Sequence, residues 1–298
     1  MISQGLVVCQ GKGGVGKTCT TAAIASLAAA SGWRVLIIDL DPQGNIAREF
    51  GYTSVSDRGE GLYQSVYLDQ PLRVLQNVRP NIDVVPGGER TRLLADSLMI
   101  ESTRNSNAFE RFNRVVTEAS ADYDLVVVDT PPGDLILQRA ILGIAHYVLV
   151  PTSGDAASTD GLAIILSQIV NARGDYNPDL ELLGVVVNFI PTNAKALDRQ
   201  IRENLRELLG DVAPVFSPSI RINKMAAIGQ RDAGVQVLEY ERLKKQNDAE
   251  NPWYKSLGTK ENIKRYSSGA AGLASDYQKL VNEILTAFTK RQSELGYS

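Results

Sequence analysis

Residues that build disulfide frameworks and metal centres are scarce in this chain. Its 298 residues include two cysteines, Cys9 and Cys19, and one histidine, His146. Two cysteines cannot supply the framework of a small secreted domain, and one histidine excludes a histidine-rich metal centre. Because Cys9 lies in an apolar run and Cys19 in an alanine-rich stretch, we expect both to be buried small residues. We expect His146 to have a structural role.

Long hydrophobic runs are also absent. No segment reaches the ~18 apolar residues that a membrane-spanning helix needs. The N-terminus has no basic region ahead of its first apolar run, so it lacks the pattern of a signal peptide. We therefore expect the protein to be cytoplasmic and not to work at a membrane.

Positive charge is not in excess over the whole chain, whose formal net charge is −3. Residues 190–270 nevertheless hold 14 Lys and Arg against 10 Asp and Glu, a net of +4, which leaves −7 for the rest. This asymmetry allows a basic face that contacts DNA phosphates in a salt-dependent way, although a solvated mixed-charge surface is the alternative. The candidate DNA contacts are Arg221, Lys224, Arg231, Lys244, Lys245, Lys264 and Arg265.

Short runs of Val, Ile and Leu recur along the chain, separated by helical stretches. Hydrophobic residues make up 44% of the sequence, enough for a large core. Continuous apolar runs are typical of parallel strands that are buried on both faces. We predict a doubly wound α/β fold, with a mostly parallel sheet and helices on both faces, as a single domain over residues 1–298. The predicted strands include residues 6–9, 35–38, 82–85, 125–128, 147–150 and 183–187.

The segment at residues 11–18, GKGGVGKT, fits the phosphate-binding pattern G-x-x-x-x-G-K-[ST]. It follows the predicted strand at 6–9 and precedes a predicted helix at 20–30, which is the context that this loop requires. Backbone N–H groups of its glycines can converge on phosphate at the helix N-terminus. The predicted nucleotide contacts here are Gly11, Lys12, Gly13, Gly14, Val15, Gly16, Lys17, Thr18 and Cys19.

Two lysines of the loop are predicted to be catalytic. Lys17 would neutralise β- and γ-phosphate oxygens, while the hydroxyl of the neighbouring Thr18 would ligate Mg²⁺. Lys12 is an additional lysine inside the loop, and its position allows it to reach phosphate that is bound to a partner subunit.

Acidic residues follow two predicted strands at their carboxyl ends. Asp39 and Asp41 follow the strand at 35–38, and Asp129 follows the strand at 125–128. Ligands bind at this edge of a doubly wound sheet. We expect Asp129 to hold Mg²⁺ through water. Of Asp39 and Asp41, one can hold Mg²⁺ through water as a metal-site residue while the other orients the attacking water as a catalytic residue. The alternative is that one of these carboxylates caps the following helix.

Together these motifs resemble the ParA/MinD group of P-loop ATPases. The matching segments are residues 12–18 (deviant Walker A), 39–45 (switch I), 129–132 (switch II), 150–152 and 161–162. The switch I segment, DLDPQGN, resembles that of the ParA partition ATPases in particular. The resemblance extends from the N-terminus to about residue 228 and returns weakly near residues 272–285.

The resemblance implies a slow ATPase that uses ATP and Mg²⁺. ATP would join two copies in a nucleotide-sandwich homodimer, in which Lys12 reaches the partner's phosphates and Asp41 positions the water. The ATP-bound dimer would bind double-stranded DNA without sequence preference. A ParB-like or other adaptor protein would stimulate hydrolysis and release the DNA. Such a cycle positions plasmids, chromosomes or other cargo over the nucleoid.

Recognition of the base is predicted on the same resemblance. Asn188, at the end of the predicted strand at 184–189, lies where this fold offers an amide to adenine. Ser219 lies beside the expected base pocket. The family usually has Ile-Pro where this chain has Ile220-Arg221, so the base contacts depart from the family pattern. Arg221 falls where the family has basic residues after its last core strand, and it ranks first among the candidate DNA contacts.

The C-terminal part contains a predicted insertion and a predicted helix. Residues 240–268 are polar, are interrupted by Pro252 and Gly258, and are predicted to form a surface insertion. Residues 270–290 have apolar positions at helical spacing, which predicts a helix that packs on the sheet. The alternative is a membrane-targeting helix, and with it a MinD-like membrane-associated positioning ATPase. The polar face of the predicted helix at 270–290 is only weakly basic, which argues against membrane targeting.

Two further functions are compatible with this fold class. An iron–sulfur enzyme requires cysteines placed to ligate iron, whereas Cys9 and Cys19 flank the phosphate loop. A non-catalytic scaffold is disfavoured because Lys17, Asp41 and Asp129 are all present.

Overall fold

A central sheet of eight strands runs through the part of the protein described by the computed structural model, which comprises residues 1–103, 107–250 and 266–296. The strands are β1 (Ile2–Val8), β2 (Val35–Asp39), β3 (Leu75–Arg79), β4 (Ile82–Val85), β5 (Leu125–Asp129), β6 (Ala145–Thr152), β7 (Glu181–Ile190) and β8 (Ile220–Arg221).

The strands are arranged across the sheet in the order β3-β4-β2-β5-β1-β6-β7-β8. β3 runs antiparallel to β4, and all the other neighbouring pairs are parallel. The chain winds in one direction from β1 towards β4 and in the other from β6 towards β8. The predicted doubly wound, mostly parallel α/β fold is therefore confirmed.

Helices cover both faces of this sheet. One face carries α1 (Lys17–Ala30), α2 (Ile46–Phe50), α9 (Lys224–Ala233), α10 (Val237–Glu250) and α11 (Ala270–Glu294). The other face carries α3 (Glu60–Leu68), α4 (Thr91–Thr103), α5 (Ala108–Ser120), α6 (Leu135–Leu142), α7 (Ala156–Asp175) and α8 (Lys195–Leu209). Each layer of helices closes a separate hydrophobic core against the sheet.

Strand β5 shows why the central strands are continuous apolar runs. Leu125 and Val127 pack in the core beneath α1 and α11, whereas Val126 and Val128 pack in the core on the opposite face. Successive side chains of a strand point to opposite faces, and both faces are covered here. The apolar run therefore ends only at Asp129, where the strand reaches the edge of the sheet.

The C-terminal helices occupy the region of the predicted insertion and the predicted last helix. α11 buries Leu280 and Ile284 completely in the core, so its apolar side faces the protein interior. α10 forms a regular helix through the first part of the predicted insertion, and residues 251–265 lie outside the described residues. None of the helices in the described ranges combines the length and the apolar character that crossing a bilayer requires.

Candidate nucleotide-binding site

Three neighbouring strands end together at the phosphate-binding loop. Asp39 at the end of β2 lies opposite Asp129 of β5, and Asp129 lies opposite Val8 of β1. The loop leaves β1 after Val8 and enters α1 at Lys17. The parallel register therefore brings both predicted metal-site carboxylates to the mouth of the loop.

The turn from the loop into α1 requires glycine. Gly16 is the N-cap residue and has the left-handed conformation, with φ 90° and ψ 24°. A Cβ atom at this position would stand 2.7 Å from Asn188 Nδ2. The first turn of α1 contains no acidic residue, so no carboxylate of the helix itself would compete with a phosphate anion for its free N–H groups and the positive end of its dipole.

Lys17 is buried at the base of the loop. Its side chain is 6% exposed, and Nζ donates a hydrogen bond to the carbonyl of Lys12 at 3.2 Å. Burial lowers the pKa of Lys17, an effect opposed by the negative charge of Asp129. A phosphate group would stabilise the buried ammonium, which suits the role predicted for this lysine.

Thr18, Asp129 and Asp39 form one polar cluster beside the loop. Thr18 Oγ1 donates to Asp129 Oδ2 at 2.7 Å. Asp129 Oδ1 and Asp39 Oδ2 are buried oxygens without a hydrogen-bond partner among the described residues. In the same part of the chain, no group of three or more His, Cys, Asp or Glu residues could hold a metal by itself. The cluster fits Mg²⁺, which takes one or two carboxylates and completes its shell with water and phosphate oxygens.

The two carboxyl groups have raised pKa values. Burial, together with the charge of Asp41, raises the pKa of Asp129 to about 7, although the hydrogen bond from Thr18 acts in the opposite direction. The pKa of Asp39 lies well above its usual range because of burial and the neighbouring charge of Asp129. A bound cation reverses this effect, because it favours the ionised carboxylates.

We expect the nucleotide-free protein to lose stability as the pH rises from about 4 to about 7. The pKa of Asp129 is about 7 in the folded protein, against an ordinary value of 3.8. Within this window the folded state retains a proton that the unfolded state has released, so raising the pH favours unfolding. Urea unfolding in a pH series measures the slope, which Mg²⁺ with nucleotide should flatten. An unchanged slope in Asp129→Asn would contradict this explanation.

Backbone hydrogen bonds hold Asp41 next to this cluster. Its side chain is 7% exposed, and its Oδ1 accepts a hydrogen bond from the N–H of Gln43 at 2.8 Å. The N–H of Asp41 donates to Asp39 Oδ1 at 2.9 Å. Asp41 does not cap α2, whose N-cap residue is Asn45. The capping alternative therefore does not apply to Asp41.

Lys12 lies at the rim of the loop and forms an ion pair with Asp155. Its Nζ donates to both carboxylate oxygens of Asp155 at 2.7 Å, and the two side chains are 32% and 50% exposed. Asp155 also caps α7 by accepting a hydrogen bond from the N–H of Ser158. Hydrogen bonds from Lys12 and Ser153 lower the pKa of Asp155 to about 2. Lys12 is thus held at the partly exposed rim by Asp155, while Lys17 occupies the loop interior.

A largely apolar cavity of about 360 Å³ opens beside the loop. Gly14 and Cys19 line it on the loop side, and Phe189, Ile220, Gln230 and Tyr277 contribute to its other walls. A mostly apolar cavity with a few polar groups is typical of small-molecule sites. Its position next to the phosphate loop makes it the candidate pocket for the base.

Neither residue predicted to contact the base lines this cavity. Asn188 is completely buried, and its Nδ2 donates to the carbonyl of Val15 at 2.9 Å, which ties β7 to the loop. The hydroxyl of Ser219 donates to Asp198 and accepts from Arg202, both at 2.5 Å. The hydroxyl of Ser219 is therefore engaged with α8, and its contact with a nucleotide stays a prediction.

Two predicted DNA contacts form ion pairs with carboxylates of the same chain. Arg221 forms a bidentate pair with Asp276, at 2.5 and 2.8 Å, which joins β8 to α11. Arg231 pairs at 2.5 Å with Glu49, whose side chain is completely buried. Arg221 thus links β8 to α11, and Arg231 links α9 to α2, while the two side chains remain 34% and 45% exposed. Their contact with DNA stays a prediction.

The remaining predicted DNA contacts differ in their surroundings. Lys244 and Lys245 form ion pairs with acidic residues four positions away along α10. Lys224 is exposed at the start of α9 and forms no ion pair within the described ranges. Lys264 and Arg265 lie outside the described residues. Among the predicted DNA contacts that the structure describes, Lys224 is therefore the one whose ammonium forms no ion pair with a described carboxylate.

The two cysteines differ in burial. Cys9 is completely buried, whereas Cys19 is partly exposed, so the prediction that both are buried is confirmed for Cys9 only. Desolvation raises the pKa of each thiol to about 12. His146 is 2% exposed and packs beside the ring of Tyr147, as expected of a structural histidine.

Sequence reasoning missed three residues of this region: Asp155, Glu49 and Gln230. Asp155 stands before α7 in a typical N-cap position, but nothing local indicates that it pairs with Lys12, which lies 143 positions away. Glu49 and Gln230 meet between α2 and α9, 181 positions apart. Only the fold brings these side chains to the nucleotide site.

Similarity to known proteins agrees with this geometry. The family described as "AAA domain" matches residues 3–182 of the chain. The chromosome partitioning protein ParA of Caulobacter vibrioides is 28% identical over 229 residues, which is 76% of this chain and 84% of that protein.

Two solved structures share the fold. An ATP complex of a McdA variant from Cyanothece aligns with a TM-score of 0.72 at 18% identity, covering 95% of this chain and 96% of that one. A structure of pNOB8 ParA bound to nonspecific DNA aligns with a TM-score of 0.62 at 18% identity, covering 96% and 99%. The AAA domain match spans more than half of the chain, and the curated relative is a ParA protein. The chain therefore belongs to the AAA domain family and, within it, to the ParA/MinD group of P-loop ATPases.

Proposed function

We propose that this protein hydrolyses ATP in order to position DNA or another cargo, and that its ATP-bound homodimer binds DNA without sequence preference. The arrangement of the two loop lysines carries the proposal. Lys17 is buried in the phosphate cradle, whereas Lys12 is directed outward at the rim. One lysine is positioned for the protein's own phosphates, and the other can reach the phosphates of a second copy.

Each residue of the site has a defined part in hydrolysis. Lys17 and the N–H groups at the start of α1 bind the phosphates. Thr18, Asp129 and Asp39 would hold Mg²⁺, directly or through water, and the ion would neutralise charge on the phosphate oxygens. Asp41 orients the attacking water and accepts its hydrogen bond.

Dimer formation requires Lys12 to leave Asp155. Their ion pair is half exposed, and pairs of this kind contribute about 0–1 kcal/mol. The phosphates of a partner subunit offer several negative charges in a site that excludes water, where the attraction is stronger. It is therefore favourable for Lys12 to leave Asp155 and to pair with the phosphates of the partner subunit.

The proposed cycle ends when a ParB-like or other adaptor protein stimulates hydrolysis, which is otherwise slow, and the dimer leaves DNA. The partition role named for the Caulobacter relative and the nonspecific DNA bound by pNOB8 ParA support the proposed positioning of cargo and the proposed binding of DNA. Under this proposal the protein works at the nucleoid.

We expect tight binding to a random-sequence DNA duplex with ATP and Mg²⁺, and weak binding with ADP or without nucleotide. Contacts to phosphates release counterions, so the logarithm of the affinity should fall linearly with the logarithm of the salt concentration, by about 0.9 per neutralised phosphate. Fluorescence anisotropy with a labelled duplex across a salt series measures both effects.

Two companion measurements make the result decisive. ATP turnover in the same samples reports whether the enzyme is active, and vesicles of anionic lipid serve as a competing surface. An active protein that binds vesicles but no DNA in any nucleotide state would contradict the proposal and favour the membrane-associated alternative.

A further inference from the structure

Two buried side-chain amides support the phosphate loop, one at each end of it. At the end that enters α1, Asn188 Nδ2 donates to the carbonyl of Val15 at 2.9 Å, close to Lys17. At the end that leaves β1 lies Gln10, which is completely buried and directly precedes the phosphate-binding pattern. The pattern itself does not account for this polar residue in the protein interior.

Both ends of the Gln10 amide are hydrogen-bonded. Its Nε2 donates to the carbonyls of Pro151 in β6 and Ser158 in α7, both at 3.2 Å. Its Oε1 accepts a hydrogen bond from the N–H of Gly11 at 2.8 Å. The amide therefore joins the first residue of the loop to the first turn of α7.

Gly161 leaves the space that this amide occupies. A Cβ atom at position 161 would lie 2.4 Å from Gln10 Oε1 and 3.2 Å from the backbone nitrogen of Lys12. Gln10 could not move aside without losing hydrogen bonds, because it is completely buried and both ends of its amide are held. A side chain at position 161 would therefore disturb Gln10 and, through it, the rim of the loop.

The same turn of α7 also holds the side chain of Lys12. Asp155 caps this helix by accepting from the N–H of Ser158, and it pairs with Lys12 Nζ at 2.7 Å. The backbone next to Lys12 and the Lys12 side chain thus have one common support. None of the Gln10 hydrogen bonds involves Asp155 or the ammonium, so they remain when Lys12 leaves Asp155.

We propose that Gln10 is the positioning residue for Lys12 in the ATP-bound dimer. By holding the N–H of Gly11, it fixes the backbone from which the Lys12 side chain extends towards the phosphates of the partner subunit. A cation stabilises a transition state only where negative charge develops, and a misplacement of about 1 Å can cost about a hundredfold in rate. The inference rests on the proposed dimer, and it adds the residue that orients the lysine acting across it.

Gln10→Ala should lower both the ATP-dependent dimer and kcat, while the affinity for ADP stays close to that of the wild type. The protein's own phosphate site keeps Lys17, the start of α1 and the support from Asn188. We expect kcat to fall by about tenfold to a hundredfold. Light scattering with ATP and Mg²⁺ measures the dimer, phosphate release measures kcat, and calorimetric titration measures ADP affinity. Asn188→Ala is the contrasting variant, which should weaken ADP binding itself.

Gly161→Ala tests the same contact from the opposite side. Its methyl group would displace Gln10 Oε1, so this variant should reproduce the losses of Gln10→Ala. In the double variant the oxygen that the methyl group meets is gone, so the loss should be well below the product of the two single losses. Gly174→Ala is the matched control in the same helix, because a Cβ atom there would meet nothing within 4 Å. We expect it to behave as the wild type does.

The outcomes separate this inference from the proposed function. A Gln10→Ala protein that dimerises and hydrolyses ATP normally would overturn the role of Gln10, and so would one that loses ADP binding as strongly as dimerisation. Single losses that multiply in the double variant would show that Gln10 and Gly161 do not act through one contact. A wild-type protein that binds ADP but forms no dimer with ATP would overturn the proposed dimer itself.

Discussion

Replacement of Lys12 by alanine is expected to abolish the ATP-dependent dimer while the monomer still binds nucleotide. Lys17 and the backbone of the loop form the protein's own phosphate site, and the truncation leaves both in place. The variant lacks the cation that would meet the partner's phosphates. Hydrolysis should fall about a hundredfold or more, the usual effect of removing one group that stabilises the transition state. Light scattering coupled to size exclusion with ATP and Mg²⁺ measures the dimer.

Asp155→Asn is the matched control for this variant. It removes the charge that pairs with Lys12 in the same chain, and asparagine is as good an N-cap for α7 as aspartate. We expect this variant to dimerise at least as well as the wild type, because Lys12 is released from its own subunit. A Lys12→Ala protein that dimerises normally would remove Lys12 from the proposed interface.

Replacement of Asp41 by alanine is expected to lower the rate of hydrolysis by about 10²- to 10⁴-fold, the usual contribution of a group that acts on the attacking water. The hydrogen bond from the N–H of Asp41 to Asp39 is a backbone interaction and remains in the variant. The Mg²⁺ site and the loop are untouched, so ATP should still be bound. The variant should therefore accumulate as the ATP-bound dimer.

Single-turnover phosphate release and the lifetime of the dimer on DNA measure these two effects. Asp134→Asn is a suitable control, because Asp134 follows switch II but only caps α6, through the N–H groups of Ile136 and Leu137. We expect normal turnover from it. Normal turnover from Asp41→Ala would mean that another group orients the water.

The predicted strands and the loop were found where the sequence pattern indicated them. Residues 125–128 form β5, which extends one residue further to Asp129, and the apolar run is continuous because both faces of the strand are buried. α1 begins at Lys17, before the predicted start of the helix at residue 20. The difference arises because the phosphate loop itself forms the helix N-terminus, whereas residues 17–19 are polar or small and lack an apolar pattern.

The ion pairs of two basic residues could not be predicted from the sequence, for a physical reason. Arg221 was predicted to contact DNA from the family resemblance, and Arg231 from the excess of basic residues; each meets a carboxylate from a distant part of the chain, Asp276 or Glu49. A guanidinium near a partly buried carboxylate pairs with it, whatever its neighbours in sequence. Local charge counts do not contain this information.

The sequence by itself determined the chemistry of the phosphate site, because the loop GKGGVGKT and the carboxylates after two apolar strands are local patterns that backbone geometry converts directly into a site. The tertiary structure alone decided which polar groups around this site are already paired within the protein and which can still bind a ligand. Lys12 meets Asp155, and Gln230 meets Glu49, only because the parallel sheet and its two layers of helices bring remote segments together. Orientation of a side chain by a distant partner is a property of packing, and it therefore appears only in the folded protein.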